Sequence, residues 1–580
     1  MPTFNRGFYF VSLVLAVLLA IGTGPLARAQ ASGVPDVQPP AGLEPIRQPE
    51  QASTYPGSER AASKLGDVAL NVDRPRLNVP PGLMKGDTIC VKKLIVEGNQ
   101  VFSDDEIIEK DFDGLVEPGC NTWYPVSAYA EAARNLEERY REAGYLLSQV
   151  TIPEQKILRS SGEFRIRIFE GRIARAHIEP GTRNLKRLLD GYLEPITSAG
   201  VAHNANLERQ LLLMNDIPGM SVRGVLRAGT EVGTSELVVK TQTERYEGYL
   251  LANNRGSRYT GEMRAMAIAR ANRIAGPDRL EAMVLSSLEG SKQRYGHLIY
   301  QRYVGYSGLS VEAGVRHGPS EPRANLRELE VEAVNNQAHV LFDYPLRRSK
   351  AMNFGLRFGL EVNNNRVDVL DTRFSEDRTR VVTIGTYADF YGDNHRSRLK
   401  LMLRHGLPGL GATPDDDPQR SRLSGSSNFT SLQMEAATYF GLNRFWTVDA
   451  QLSGQYAFQS LLSTEELLLG GERFGRGYDP AEIAGDHGVG LALEVQRTVS
   501  TQRGWLQHLQ GYGFYDVGLT WNQDRYAQRR MSLASAGLGV RVRLLDNVDL
   551  SVEYARPLTR SVASQGDRDG RFYGQFSLRI

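Results

Sequence analysis

Cysteine is nearly missing from this chain, with only Cys90 and Cys120 among 580 residues. Two cysteines without a histidine cluster beside them do not make a zinc site. Long hydrophobic runs are missing too. After the one at the N-terminus, no stretch approaches the roughly 20 apolar residues of a membrane-spanning helix, which excludes a helical membrane protein. Charge of one sign is also lacking. A net +2 gives a nucleic-acid partner no electrostatic support. The chain contains no G-x-x-x-x-G-K-[ST] phosphate loop, no G-x-S-x-G elbow and no H-E-x-x-H helix, and its nine histidines are scattered. An enzyme, a cofactor and a metal are therefore not expected.

What is present begins with a processing signal. Arg6 supplies a basic start, Phe8 to Ile21 an apolar core of signal-peptide length, and Ala27-Arg28-Ala29 a small-x-small cleavage site. Residues 1–29 are thus expected to be removed, leaving Gln30 first. Residues 30–87 are rich in proline (Pro35, Pro39, Pro40, Pro45, Pro49, Pro56, Pro75, Pro80, Pro81) and read as an extended linker. In an oxidising compartment Cys90 and Cys120 are either disulfide-bonded or two separate buried thiols.

Residues 88–171 read as a compact α/β unit of order β-α-α-β-β. Cys90 to Val96 is a strand ended by a turn at Gly98-Asn99. Ser103-Asp-Asp-Glu106 is a capping box opening a short helix. Ser127 to Ala143 sets Tyr129, Ala133, Leu136, Tyr140 and Ala143 on one helical face, and Gly144 stops it. Tyr145 to Ile152 and Phe164 to Phe169 complete the unit as strands. The order recurs over residues 172–244: strand Arg172 to Ile178, helices Leu185 to Leu193 and Leu207 to Met214, strands Ser221 to Arg227 and Glu236 to Thr241. Small three-stranded sheets leave open edges.

From residue 245 to 580 helical periodicity vanishes. Val548, Leu550, Val552 and Tyr554 alternate with Asp549, Ser551 and Glu553. Leu538, Val540, Val542 and Leu544 alternate with Gly539, Arg541 and Arg543. Phe572, Phe576, Leu578 and Ile580 alternate with Tyr573, Gln575, Ser577 and Arg579. Charges on the inner-facing set do not suit a dry sandwich core, whereas a wet barrel lumen accommodates them. Connections after odd segments read as long and those after even segments as tight. Ile274 to Asp278, Tyr391 to Asn394, Gly441 to Asn443, Thr501 to Gly504 and Leu545 to Asn547 are tight and hence periplasmic. Gly406 to Asn428 and Leu462 to Gly485 are long and hence external. At about 20 residues per strand and connection sixteen strands fit, with fourteen and eighteen as the neighbouring counts. The expected fold is two α+β periplasmic repeats followed by a transmembrane antiparallel β-barrel in a bacterial outer membrane.

One external loop stands apart. Gly470-Gly471-Glu-Arg-Phe474-Gly-Arg476-Gly477-Tyr478 sets a guanidinium and aromatic rings among glycines, and Gly485-Asp486-His487-Gly488 follows. With the signal peptide, the linker, the two repeats and the barrel, this loop resembles the two-partner secretion transporters (TpsB, the haemolysin secretion/activation proteins) of the outer-membrane insertase superfamily. The resemblance covers nearly the whole chain after residue 87, the repeats matching POTRA domains. Asn253-Asn254-Arg255-Gly256-Ser257 with Thr260-Gly261, and Phe514-Tyr-Asp516-Val-Gly518 in the thirteenth strand, strengthen it.

The resemblance implies that the loop folds back into the lumen with Arg476 against Asp516, Gly477 permitting close approach and Tyr478 packing alongside, near Gly518. On physical grounds, a loop spanning a wide, wet lumen needs a charge-assisted contact to hold it. Such a pair in a solvated pore is weak enough to break during transport, as a latch must. POTRA domains would capture an unfolded client at an open sheet edge, residues 88–244 holding that function. Export would proceed without ATP. Partners implied are a large secreted exoprotein (an adhesin, a haemolysin or a related β-helical client), outer-membrane lipid and the barrel assembly machinery. Two departures stand out: residues 30–60 show no helix pattern for the family's pore plug, and Ile580 replaces the usual terminal aromatic, so Phe572 and Phe576, with Leu578 and Ile580, must carry the assembly signal. An assembly factor that inserts other barrels, a diffusion porin and a barrel enzyme are the rival readings; two repeats rather than more favour secretion.

Overall fold

The computed structural model describes residues 88–155, 162–179, 183–289, 293–322, 324–524, 530–545 and 547–580. The expected leader (1–29) and proline-rich stretch (30–87) lie outside them. Among the described residues no helix is long and apolar enough to cross a membrane; strands do so instead.

The first repeat holds β1 (Lys93–Glu97), α1 (Asp104–Asp111), α2 (Val126–Glu142), β2 (Gln149–Thr151) and β3 (Glu163–Phe169). Its sheet order is β1-β3-β2, with β1 and β3 parallel and β2 and β3 antiparallel. Ser103 caps α1 by accepting from the Glu106 N–H. The buried face of α2, Tyr129, Ala133, Leu136 and Tyr140, packs on Ile166 and Ile168 of β3. Two strands are shorter than the sequence suggests. Cys90 is tied to Cys120 by a disulfide with Cα atoms 5.6 Å apart, and Val91 bridges to Val116, so regular pairing begins only at Lys93. Tyr145 to Ser148 close turns instead of extending: Tyr145 N–H donates to Tyr140 C=O (2.8 Å) and Ser148 N–H to Tyr145 C=O (3.0 Å).

The second repeat has the same order: β4 (Arg172–Ile178), α3 (Arg183–Thr197), α4 (Asn204–Asp216), β5 (Met220–Ala228) and β6 (Thr234–Thr243), its sheet arranged β4-β6-β5. Helix α3 runs past Leu193 and through Pro195, whose carbonyl accepts from Asn206 Nδ2 at 2.8 Å. The repeats abut directly. Asn204 N–H donates to Gly144 C=O and Ala202 N–H to Gly171 C=O, both at 2.8 Å.

Sixteen antiparallel strands close the barrel, from the first at Tyr246–Asn253 to the sixteenth at Arg571–Arg579. The alternation works as two solvents demand. Leu538, Val552 and Phe572 lie exposed on the outer face, while Glu553 and Ser577 are buried inside. Closure uses five paired residues, Tyr249↔Arg579 to Asn253↔Gln575, and Ile580 extends it by exchanging two hydrogen bonds with Gly248 (3.1 and 2.8 Å). One external connection departs from the long-loop expectation. The seventh (Met352–Val369) and eighth (Thr372–Tyr391) strands join through Leu370-Asp371 alone, both at positive φ. Strands of 18 and 20 residues supply the outward reach that a loop supplies elsewhere.

Candidate functional site

The external loop at residues 458–486, between the eleventh (Trp446–Ala457) and twelfth (His487–Arg503) strands, turns inward. Leu467–Leu469 and Ile483–Gly485 pair as a small hairpin, and its tip carries Arg476. The hairpin's inner residues Leu469, Phe474, Tyr478 and Ile483 cluster with Ala492 and Leu533 of the barrel wall. Apolar packing against the barrel wall holds this loop inside a polar lumen.

Arg476 meets the thirteenth strand (Leu506–Trp521). Its Nε donates to Asp516 Oδ2 (3.1 Å) and its Nη2 to Asp516 Oδ1 (2.9 Å), a bidentate pair. The N–H groups of Gly475 and Arg476 also donate to Oδ2, at 3.3 and 2.9 Å. The carboxylate is thus surrounded by donors. The guanidinium lies 3.5 Å over the Phe514 ring, gives Nη1 to Glu494 Oε2 at 2.5 Å, and approaches Glu553 to 3.7 Å.

The pair extends into a network that the sequence reading misses. Arg541 donates to Glu494 and stacks 3.8 Å over Tyr512. Arg255 donates to Glu553 at 2.8 Å and sits 4.5 Å over Tyr573. Three guanidiniums and three carboxylates interlock, from the inward loop, the connection after the first strand and strands twelve to fifteen. This gives the Asn253-Asn254-Arg255 run a structural place at the seam, where Asn254 also bonds Phe572 C=O and Gly574 N–H on the sixteenth strand.

The pair is not solvated, contrary to the expectation of a weak contact in a wet pore. Asp516 is fully buried and Arg476 is 7% exposed, because the apolar hairpin lies over them. Removing one partner of such a pair strands the other charge and costs about 3–5 kcal/mol. Gly477 runs against the wall: a Cβ there would stand 2.8 Å from Pro557 N and 2.9 Å from Arg556 C. At Gly518 a Cβ would meet Leu469 and Leu533 at 3.0 and 3.1 Å. Tyr478 bonds away from the Arg–Asp pair, its hydroxyl donating to Ala534 C=O at 3.0 Å.

The loop has further moorings. Glu465 is gripped by Arg404 (2.7 Å) and Thr379 (2.7 Å), and the buried Asp486 accepts from Arg422 (2.7 Å), Leu461 N–H (2.8 Å) and Gln523 N–H (2.9 Å). His487 accepts from Ala457 N–H and stacks on Trp521. Beside Glu465 a polar cavity of about 310 Å³ remains, lined by Arg316, Asn335, Gln337, His339, Asn363 and Arg404 among others. Among the described residues no group of His, Cys, Asp or Glu side chains could hold a metal ion. Phe572, Phe576 and Ile580 face outward, with Leu578 half-buried between them.

Comparison with known proteins bears on the family and the fold. The family model "Haemolysin secretion/activation protein ShlB/FhaC/HecB" matches residues 233–542, and the ShlB-type POTRA domain matches 89–171. The heme/hemopexin transporter protein HuxB of Haemophilus influenzae is 22% identical over 463 residues, 75% of this chain and 78% of its own length. The outer membrane transporter CdiB of Dickeya dadantii is 21% identical over 380 residues, covering 60% of this chain and 62% of that protein. Among solved structures, CdiB from Escherichia coli superposes with a TM-score of 0.74 at 18% identity, over 96% of this chain and 100% of that one.

Proposed function

Because the chain belongs to the haemolysin secretion/activation family, whose members here are outer-membrane transporters with periplasmic POTRA domains, we propose that it exports one dedicated secreted protein partner through its barrel. The observation that supports this reading best is the inward loop. A hairpin packed on the lumen wall and pinned by Arg476 to Asp516 stands in the path of an exported chain and must move aside for it to pass. The client arrives unfolded. It adds a strand to an open edge of a repeat, of which the nine-residue β5 is the longest, through main-chain bonds that demand little of its sequence. Folding outside the cell drives passage, without ATP. The outward Phe572, Phe576, Leu578 and Ile580 form the signal read by the barrel assembly machinery.

The test replaces Arg476→Ala and Asp516→Ala and compares proteins in the medium with those in the outer membrane. Secretion of one large exoprotein should fall while the amount and heat-modifiable migration of the barrel stay unchanged. Wild-type secretion by both variants would remove the latch from the reading. A broad loss of other outer-membrane barrels on deleting the chain would replace secretion with barrel assembly.

A further inference from the structure

The Arg–Asp pair fastens the tip of the inward loop, but nothing in that contact accounts for residues 478–483, which carry two buried carboxylates, Asp479 and Glu482. They meet the last external loop, residues 558–570, between the fifteenth (Val548–Pro557) and sixteenth strands. Val562 of that loop is fully buried in the same apolar cluster as Leu469, Phe474, Tyr478 and Leu533. Around it runs a ring of polar contacts. Tyr478 Oη accepts from the N–H groups of Thr559 and Arg560 (both 3.3 Å). Asp479 accepts from Arg571 (2.6 Å) and from the Ser564 hydroxyl. Glu482 accepts from Ala563 N–H (2.9 Å) and lies 3.8 Å from Arg560. The last loop also bonds itself into shape, with Val562 N–H to Asp567 C=O and Gly566 N–H to Val562 C=O, both 2.8 Å.

We propose that residues 558–570 form an outer keeper for the inward loop, with Val562, Ala563 and Ser564 as positioning residues, so that the latch is released only once this surface loop lifts. The inference rests on the latch reading above and adds where control lies. Three side chains of the inward loop, Tyr478, Asp479 and Glu482, are committed to it, and an apolar side chain plugs the joint between them. An exported chain emerging beside residues 558–570 can therefore open or reclose the channel from outside. The keeper also explains Tyr478, whose hydroxyl is turned toward this loop and strand fourteen (Arg530–Leu544) instead of toward Asp516.

The experiment uses Ala492→Cys in whole cells as reporter. Ala492 lies beneath the hairpin, and both native cysteines are in the disulfide, so the new thiol reacts alone with a membrane-impermeant maleimide. Val562→Asp should accelerate labelling at least tenfold, and the gentler pair Ser564→Ala with Arg571→Gln should accelerate it severalfold, with heat-modifiable migration confirming a folded barrel. Arg476→Ala is the reference. If Arg476→Ala accelerates labelling and neither keeper variant does, the keeper is overturned and the latch stands. If Arg476→Ala itself leaves labelling at the wild-type rate, the latch falls and the keeper falls with it.

Discussion

Asp216, the last residue of α4 in the second repeat, grips Arg348 at the base of the sixth barrel strand through two hydrogen bonds of 2.6 and 2.8 Å. The same face of the repeat touches other periplasmic turns. Tyr192 stacks edge-on against Tyr306 at 5.0 Å, and Arg209 reaches the carbonyls of Ser307 and Pro345, each at 3.2 Å. Arg273 returns a bond to Pro218 C=O at 3.0 Å. The second repeat is docked on the turns after strands two, four and six, to one side of the barrel mouth.

Asp216→Ala should therefore loosen this docking. A hydrogen-bonded charge pair contributes about 1.5–3 kcal/mol, which is a factor of about ten or more in the docked population. Spin-label distances between the second repeat and the barrel should broaden, and secretion should drop severalfold with barrel insertion unchanged. Asp216→Arg combined with Arg348→Asp should recover part of both. Unbroadened distances in Asp216→Ala would show that the aromatic contacts alone hold the repeat.

Arg476→Lys tests whether the lumen contact needs a charge or a guanidinium. An ammonium keeps the charge but cannot form the fork to Asp516, reach Glu494 at the same time and lie flat on Phe514. Secretion by Arg476→Lys should resemble that of Arg476→Ala more than wild type. Activity near wild type would mean that charge alone suffices.

The physical source of each signal decides how much was legible in the sequence. Alternation at Val548 to Tyr554 could be read because lipid and lumen impose opposite demands on successive residues. The capping of α1 by Ser103 could be read because it is local. Sixteen strands followed from regular spacing. The partners Glu494 and Glu553 around Arg476 were not visible, since two further strands bring them in and each alone is an ordinary lumen residue. Nor was the burial of the pair, which depends on the hairpin packing over it. The two-residue turn at Leu370-Asp371 was hidden because strand length, not loop length, carries that hairpin outward.

The Cys90–Cys120 disulfide closes a 30-residue separation in the first repeat, where it also holds Val91 in its bridge to Val116. Loop-closure entropy for that length gives about 3–4 kcal/mol of stabilisation. Cys90→Ser with Cys120→Ser, or mild reduction, should make the first repeat the earliest site of limited proteolysis in the full chain, with the barrel resistant. Equal protease resistance with and without the disulfide would show that the apolar core around Tyr129 and Phe164 is sufficient.

Gly477 offers the sharpest test of how tightly the inward loop must seat. A methyl group at this position would press on backbone atoms, Pro557 N at 2.8 Å and Arg556 C at 2.9 Å, and on Ser535 Cβ at 3.0 Å. Backbone of a closed barrel cannot yield as a flexible side chain can, so the loop itself must lift, carrying Arg476 from Asp516. Gly477→Ala should thus reproduce the secretion defect of Arg476→Ala although every charge remains. Gly511→Ala on the neighbouring strand, where a Cβ meets nothing within 4 Å, serves as the neutral control. If Gly477→Ala secretes like Gly511→Ala, close seating of the loop is not what the transporter requires, and the ion pair would have to act across a looser contact.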